Sequence, residues 1–253
     1  MKLVLNIYKK AGETPLEVIN CLKLRCPEYK SVKITYAGRL DPLAKGAIIL
    51  LAGNAIHKKE NYLKLDKEYE AEILLGFETD TYDVLGLPKN KKNIKNYSNN
   101  ELIQFLNNLL GKDIQPFPPY SSYKIKGKHL FEWAREGKIR EIKIPDKEIE
   151  IYKIELLRLR KISGKNLLVQ ISKKVRKIKG DFRQEKILNK WREILSDNDA
   201  DYQIAKIKIS CSSGTYIRSI ANDLGKKLKI GGAILGLIRT RIGKFSIKNS
   251  LRI

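Results

Sequence analysis

The chain is poor in the residues that build metal centres and disulfide frameworks. Of its 253 residues only three are cysteine and two are histidine. Cys21, Cys26 and Cys211 are odd in number and lack Cys-x-x-Cys spacing, which argues against a disulfide framework and against a zinc site. His57 and His129 stand far apart, with no cluster of acidic or thiol ligands beside either, so no metal is expected. Long apolar runs are also missing. The longest, Ala47 to Ala52, falls far short of a bilayer-spanning helix, and the apolar stretch at the amino terminus meets Lys9-Lys10 after a few residues. No P-loop, helical repeat or low-complexity tract occurs. These absences suit a soluble, cytoplasmic protein in a reducing compartment.

Acidic residues are scarce as well: 28 Asp plus Glu stand against 51 Lys plus Arg, a formal net charge of +23. That excess goes beyond what solubility needs and implies a polyanionic partner, nucleic acid first. A membrane surface fits less well, because the cations are spread along the whole chain instead of gathered on one amphipathic helix or tail.

The length suits one large domain or two closely joined halves. Leu3 to Tyr8 reads as a short strand, and Pro15 to Leu24 as a helix behind a Thr14 cap. Tyr69, Ala71, Ile73 and Leu75 alternate with Glu70, Glu72 and Leu74, a strand with Tyr69 on its inward face. Asn99 to Leu110 has helical spacing and ends at Gly111, with Ser98 or Asn99 as cap. Strands are expected near Glu148 to Leu159, Leu167 to Ser172 and Ile204 to Cys211, and helices over Gln184 to Leu195 and Tyr216 to Lys229. Strands and helices interleave in the manner of an α+β domain.

One stretch carries chemistry. In Thr35-Tyr36-Ala37-Gly38-Arg39-Leu40-Asp41-Pro42-Leu43-Ala44-Lys45-Gly46, the proline biases Asp41 away from helical angles and the flanking glycines permit sharp reversals, so one carboxylate is presented on a stiff loop. An isolated Leu-Asp-Pro is ordinarily a turn or helix cap. Here the whole stretch resembles the G-x-L-D-P-x-A-x-G motif of the TruB family of tRNA pseudouridine synthases, and further segments match in order. Lys67-Glu68-Tyr69 with Gly76-Phe77-Glu78-Thr79-Asp80-Thr81-Tyr82-Asp83 resembles the family's K-x-Y strand and G-x-x-T-D-T-x-D. Tyr120 to Lys128, continuing to Gly137, is similar to Y-S-A-x-K-x-x-G-K, and Cys211 to Arg218 and Leu237 to Phe245 resemble the C-S-x-G-T-Y-I-R and L-R-R-T-R-x-G-x-F blocks.

The resemblance implies a central mixed, largely antiparallel sheet in two related halves, with flanking helices and a catalytic cleft between the halves. It implies conversion of uridine to pseudouridine, at uridine 55 in the T loop of tRNA, without cofactor or metal. Asp41 is then the catalytic carboxylate, acting covalently or by removing a ribose proton. Arg218 is its cationic partner, near a helix amino terminus where the backbone dipole disfavours a cation and an anionic partner offsets that cost. Tyr69 stacks on the target base and helps remove the C5 proton, Tyr216 and Leu237 wall the site, and Lys124 and its neighbours meet phosphates. Tyr36 stands where the family usually has histidine and still offers a ring for stacking. Lys10 replaces the usual proline and Ile238 the first arginine of L-R-R-T, departures that bear on RNA contacts. Residues 173–200 read as a basic insertion, an RNA-facing arm or a helix patching the core. A monomeric single catalytic domain over 1–253, lacking the family's separate carboxy-terminal RNA-binding module, is expected. The competing readings are a pseudouridine synthase with another RNA target and a tRNA-folding chaperone with little catalysis.

Overall fold

The computed structural model describes residues 1–90, 95–195 and 200–253. Its strands are β1 Val4–Lys9, β2 Ile34–Ala37, β3 Lys45–Ala52, β4 Lys67–Leu75, β5 Phe77–Thr79, β6 Pro88–Asn90, β7 Gly111–Pro116, β8 Lys124–Ile125, β9 Lys128–His129, β10 Asp146–Ser163, β11 Asp201–Cys211, β12 Gly232–Ile242 and β13 Phe245–Ser246. The helices are α1 Pro15–Arg25, α2 Lys59–Leu63, α3 Asn99–Asn107, α4 Leu130–Arg135, α5 Gly164–Arg176, α6 Gln184–Leu195 and α7 Ile217–Lys227.

Nine strands form one sheet in the order β1-β3-β12-β4-β11-β10-β7, with β2 added on β3 and β13 on β12. Every pairing is antiparallel except β3 with β12, which meet in parallel only at Ile238↔Lys45 and Arg239↔Gly46. The sheet is therefore mixed and largely antiparallel, as expected. Its brief parallel seam is where the Asp41 loop enters β3.

Alternation along β4 sorts the sheet's two faces. Tyr69, Ala71 and Ile73 point into the largest core cluster, where α3 contributes Leu102 and Leu106 and α7 contributes Ile220, Ala221 and Leu224. Glu68, Glu70 and Glu72 face outward and pair with Lys208, Lys206 and Arg160 of neighbouring strands. Over Glu68 to Glu72 one face is packed and the other solvated, the usual economy of an antiparallel sheet, whereas Leu74 on the outer face is buried in the cluster that holds α5 and α6. At the far edge, α1 buries Val18, Ile19 and Leu22 against Ile7, Ile48 and Leu50, and Thr14 caps it through a reciprocal capping box with Glu17.

Three expectations need correction. Leu167 to Ser172 is not a strand: α5 runs through it, because Leu167, Ile171 and Val175 recur at helical spacing behind a Ser163 cap and bury one stripe. The third helix stops at Asn107, earlier than Leu110, and Ser98 is its cap, through a capping box with Glu101. The helix after the Cys211 block starts at Ile217, with Tyr216 as the cap residue. The region read as an insertion over 173–200 lies within a longer excursion that leaves the β10–β11 hairpin at Gly164. Strands β10 and β11 pair up to Ser163↔Asp201, and Gly164 N–H donates to the Ala200 carbonyl, so residues 164–200 leave and re-enter a closed hairpin. Both helices of this excursion pack down, with Trp191 fully buried edge-on against Phe77 at 5.1 Å. That is core patching by the arm's apolar side; residues 196–199 lie outside the described residues.

Candidate active site

Asp41 sits in the turn between β2 and β3, where Ala44 N–H donates to the Asp41 carbonyl and Gly12 N–H to that of Pro42. Arg218, the second residue of α7, approaches it in a planar fork: Nε donates to Oδ2 at 2.9 Å and Nη2 to Oδ1 at 3.0 Å. The arginine side chain is 5% exposed while the aspartate keeps 29%, so the cation is sealed in and the carboxylate has an open side. A bidentate pair of this kind fixes the plane of the carboxylate as well as its charge.

Arg218 is itself held. Nη1 donates to the Thr81 carbonyl at 2.8 Å and Nη2 to that of Tyr120 at 3.3 Å. Asp83 Oδ2 stands 3.8 Å from Nε, a second carboxylate on the same guanidinium. Burial opposes the arginine's charge, yet the two carboxylates more than offset it and hold its pKa above the ordinary value. For Asp83 burial prevails: its pKa is pushed up to about 6, despite Arg218 and a 2.7 Å bond from the Thr81 hydroxyl. The expected Asp41–Arg218 pairing is thus present, and Asp83 joins it. Asp83 lay inside the T-D-T-x-D segment, but nothing in the linear pattern set it apart from Asp80.

Two further cations brace the Asp41 loop. Arg239 is buried on β12 and gives Nε to the Ala47 carbonyl at 2.8 Å, Nη2 to Gly38 at 3.1 Å and Nη1 to Arg39 at 3.4 Å. Gly46 lies against its backbone at φ +116°, so any Cβ there would collide with Arg239. On the other side Lys9, fully buried, donates to Ala44 O at 2.7 Å and Lys10 O at 3.0 Å, and burial lowers its pKa to about 8. Neither was singled out from sequence, because most of their partners are backbone carbonyls of the Asp41 loop and of β3, far from them along the chain.

The remaining candidates divide. Tyr69 is buried on β4 opposite Arg239, and burial pushes its phenol up to about 12, so it is a neutral hydroxyl near pH 7. Leu237 is buried in the same cluster. Tyr216 packs edge-on to Phe117 at 5.7 Å, its backbone tied to Gln115 in both directions. Tyr36 packs partly against the α1 cluster, and its hydroxyl accepts from Arg39 at 3.1 Å, so it contacts the loop and not Asp41. Lys124 is exposed on the β8–β9 hairpin and forms no ion pair among the described residues. Among the described residues no group of three or more His, Cys, Asp or Glu side chains could hold a metal, and no helix is long and apolar enough to cross a membrane.

Comparison with known proteins gives the family. A family model described as TruB family pseudouridylate synthase, N-terminal domain, matches residues 27–180. The tRNA pseudouridine synthase B of Clostridium tetani is 30% identical over 253 residues, covering all of this chain and 72% of the relative. That of Clostridium novyi is 31% identical over 253 residues, with 100% and 71% coverage, and that of Francisella philomiragia 33% identical, with 98% and 67%. Among solved structures, a Cbf5–Nop10–Gar1 complex matches at TM-score 0.61 and 20% identity over 99% of this chain. An H/ACA ribonucleoprotein bound to a substrate RNA matches at 0.58 and 18% over 98%. The chain spans about half the length of those two, covering 52% and 50% of them, and the likeness is one of fold. With its Asp-Pro loop, its arginine fork and a family match over most of its length, the chain belongs to the TruB family of pseudouridylate synthases.

Proposed function

We propose that this chain isomerises uridine to pseudouridine in tRNA, at position 55 in the T loop, with Asp41 as the catalytic carboxylate. The observation that carries the reading is the two-point grip of Arg218 on a partly open Asp41. A polyanion-binding surface has no use for a carboxylate fixed in its cleft, where it would repel phosphate; a reaction at the sugar or base does.

In this reaction the bond between ribose C1′ and uracil N1 breaks, the uracil turns without leaving, and a new bond forms from C1′ to C5. The proton on C5 is then lost and N1 gains one, so composition is unchanged. Asp41 serves either by attacking covalently or by taking a ribose proton, and Arg218 holds it oriented for both. Tyr69, a neutral phenol, stacks on the everted base, and Tyr216 and Leu237 line its berth. A uridine in a folded loop leaves its stack at a cost of a few kcal/mol, which base stacking and phosphate contacts offset. The net charge of +23 supplies the phosphate attraction, with Lys124 one of its contributors. The protein acts as a monomer on the T arm in the cytoplasm, as one catalytic domain with an inserted arm.

The test is to incubate the protein with unmodified tRNA transcripts and map pseudouridine at base resolution. Product at position 55, absent when that uridine is replaced by cytidine, is expected. Product only elsewhere makes it a synthase for another site, and tRNA binding without product leaves a chaperone.

A further inference from the structure

The excursion between β10 and β11 does more than cover the core. Its α5–α6 linker turns back toward the catalytic loops and delivers Arg183, a non-glycine residue at φ +61°. Left-handed backbone at an arginine is costly and persists where surrounding contacts fix it. Asp181 supplies such contacts: its carboxylate accepts Arg183 N–H at 3.1 Å and its carbonyl accepts Arg135 Nη2 at 2.6 Å.

Arg183 Nη1 donates to Asp80 Oδ2 at 2.8 Å, and its guanidinium lies 4.8 Å over the ring of Tyr120. Tyr120 donates its hydroxyl to the same Asp80 oxygen at 3.1 Å, while Asp80 Oδ1 accepts Leu87 N–H at 2.8 Å. The pair is partly shielded, with Arg183 at 24% and Asp80 at 29% exposure. The two backbone carbonyls that hold Arg218 belong to Tyr120 and to Thr81, the residue after Asp80. Arg183 therefore grips both segments whose carbonyls aim the guanidinium at Asp41. Its own charge is matched by Asp80, which makes it a poor candidate for a phosphate contact.

We propose that Arg183 is a positioning residue for the reaction: by clamping Asp80 to Tyr120 it fixes the two carbonyls that orient Arg218. The inference rests on the functional reading above. It gives residues 164–195 a role in the rate of the chemical step in addition to their packing.

The test compares Arg183→Gln and Arg183→Lys with Lys186→Ala, which removes one charge from an exposed position on α6. Single-turnover pseudouridine formation at saturating enzyme and the Kd for tRNA are measured separately. Arg183→Gln is expected to slow the single-turnover step about ten-fold or more, the scale of a displaced catalytic group. Its Kd should stay near that of Lys186→Ala, and Arg183→Lys should recover most of the rate by keeping the ion pair with Asp80. A single-turnover rate within two-fold of wild type, or a loss that lies wholly in Kd, overturns the proposal. Should Arg183→Gln fail to fold, Tyr120→Phe removes only the hydroxyl contact to Asp80; it too should be slow at unchanged Kd, and a wild-type rate there overturns the proposal equally. An inactive wild type overturns the functional reading and the proposal with it; an active wild type beside a fast Arg183→Gln overturns the positioning role alone.

Discussion

Replacing Arg218 by lysine separates charge from geometry at the centre of the site. The arginine makes four side-chain hydrogen bonds, two to Asp41 and one each to the carbonyls of Thr81 and Tyr120, and stands beside Asp83. A lysine keeps the positive charge, but a single ammonium cannot meet both Asp41 oxygens in one plane and two carbonyls behind it. Net hydrogen bonds to charged groups are worth about 1.5 to 3 kcal/mol each, so losing one or two of them, with relaxation, costs about 2 to 4 kcal/mol of stability. The chemical step should suffer more than the fold allows for: a carboxylate freed to swing by about 1 Å loses on the order of 10²-fold in rate. Urea unfolding reads the first quantity, and single-turnover release of label from C5 of the target uridine reads the second. Arg218→Lys should give a folded protein that binds tRNA with near wild-type affinity and turns it over about 100-fold slower. An Arg218→Lys variant within three-fold of wild-type rate would show that positive charge alone suffices and refute the geometric argument.

Other outcomes follow from the same contacts. Asp83, with its pKa raised from 3.8 to about 6, holds its proton more tightly folded than unfolded, so its contribution to stability falls as pH rises through that window. Wild-type stability minus that of Asp83→Asn should therefore drop by about 2 kcal/mol between pH 4 and 7, and a flat difference contradicts the burial argument. Gly46→Ala should cost about 2 to 4 kcal/mol, from a strained φ and a Cβ pressed on the Arg239 backbone; a loss under about 1 kcal/mol by denaturant titration is inconsistent with that packing. Trp191→Ala should cost about 3 to 5 kcal/mol and lower the melting temperature of the whole chain in one transition, whereas an unchanged melt would mean that the arm does not share the core.

Local patterns carried much of the fold, and their limits have physical causes. β4 was legible because its outer face is solvated and its inner face packed, which writes a period of two into the chain. The α1 and α3 starts were legible because their capping residues are adjacent in sequence. α5 was not: Leu167, Leu168, Val169 and Ile171 read locally as a strand, and only burial of every fourth residue on Trp191 and its neighbours makes the segment a helix. At the site, Asp41 and Arg218 were found through a resemblance spread over separate blocks, since no spacing rule links residues 177 positions apart. Asp83, Lys9 and Arg239 escaped notice because buried charges are recognised by their partners, which here are carbonyls and a guanidinium contributed by distant elements.

The most direct test of the central claim is single-turnover conversion of uridine 55 by Asp41→Asn, a change that keeps the side chain's size and shape while replacing one of the two acceptor oxygens by an amide donor and so removing the carboxylate. The expected result is that the variant binds tRNA and gives no detectable pseudouridine on the timescale over which wild type converts all of it. Pseudouridine formed by Asp41→Asn at a rate near that of wild type would contradict it.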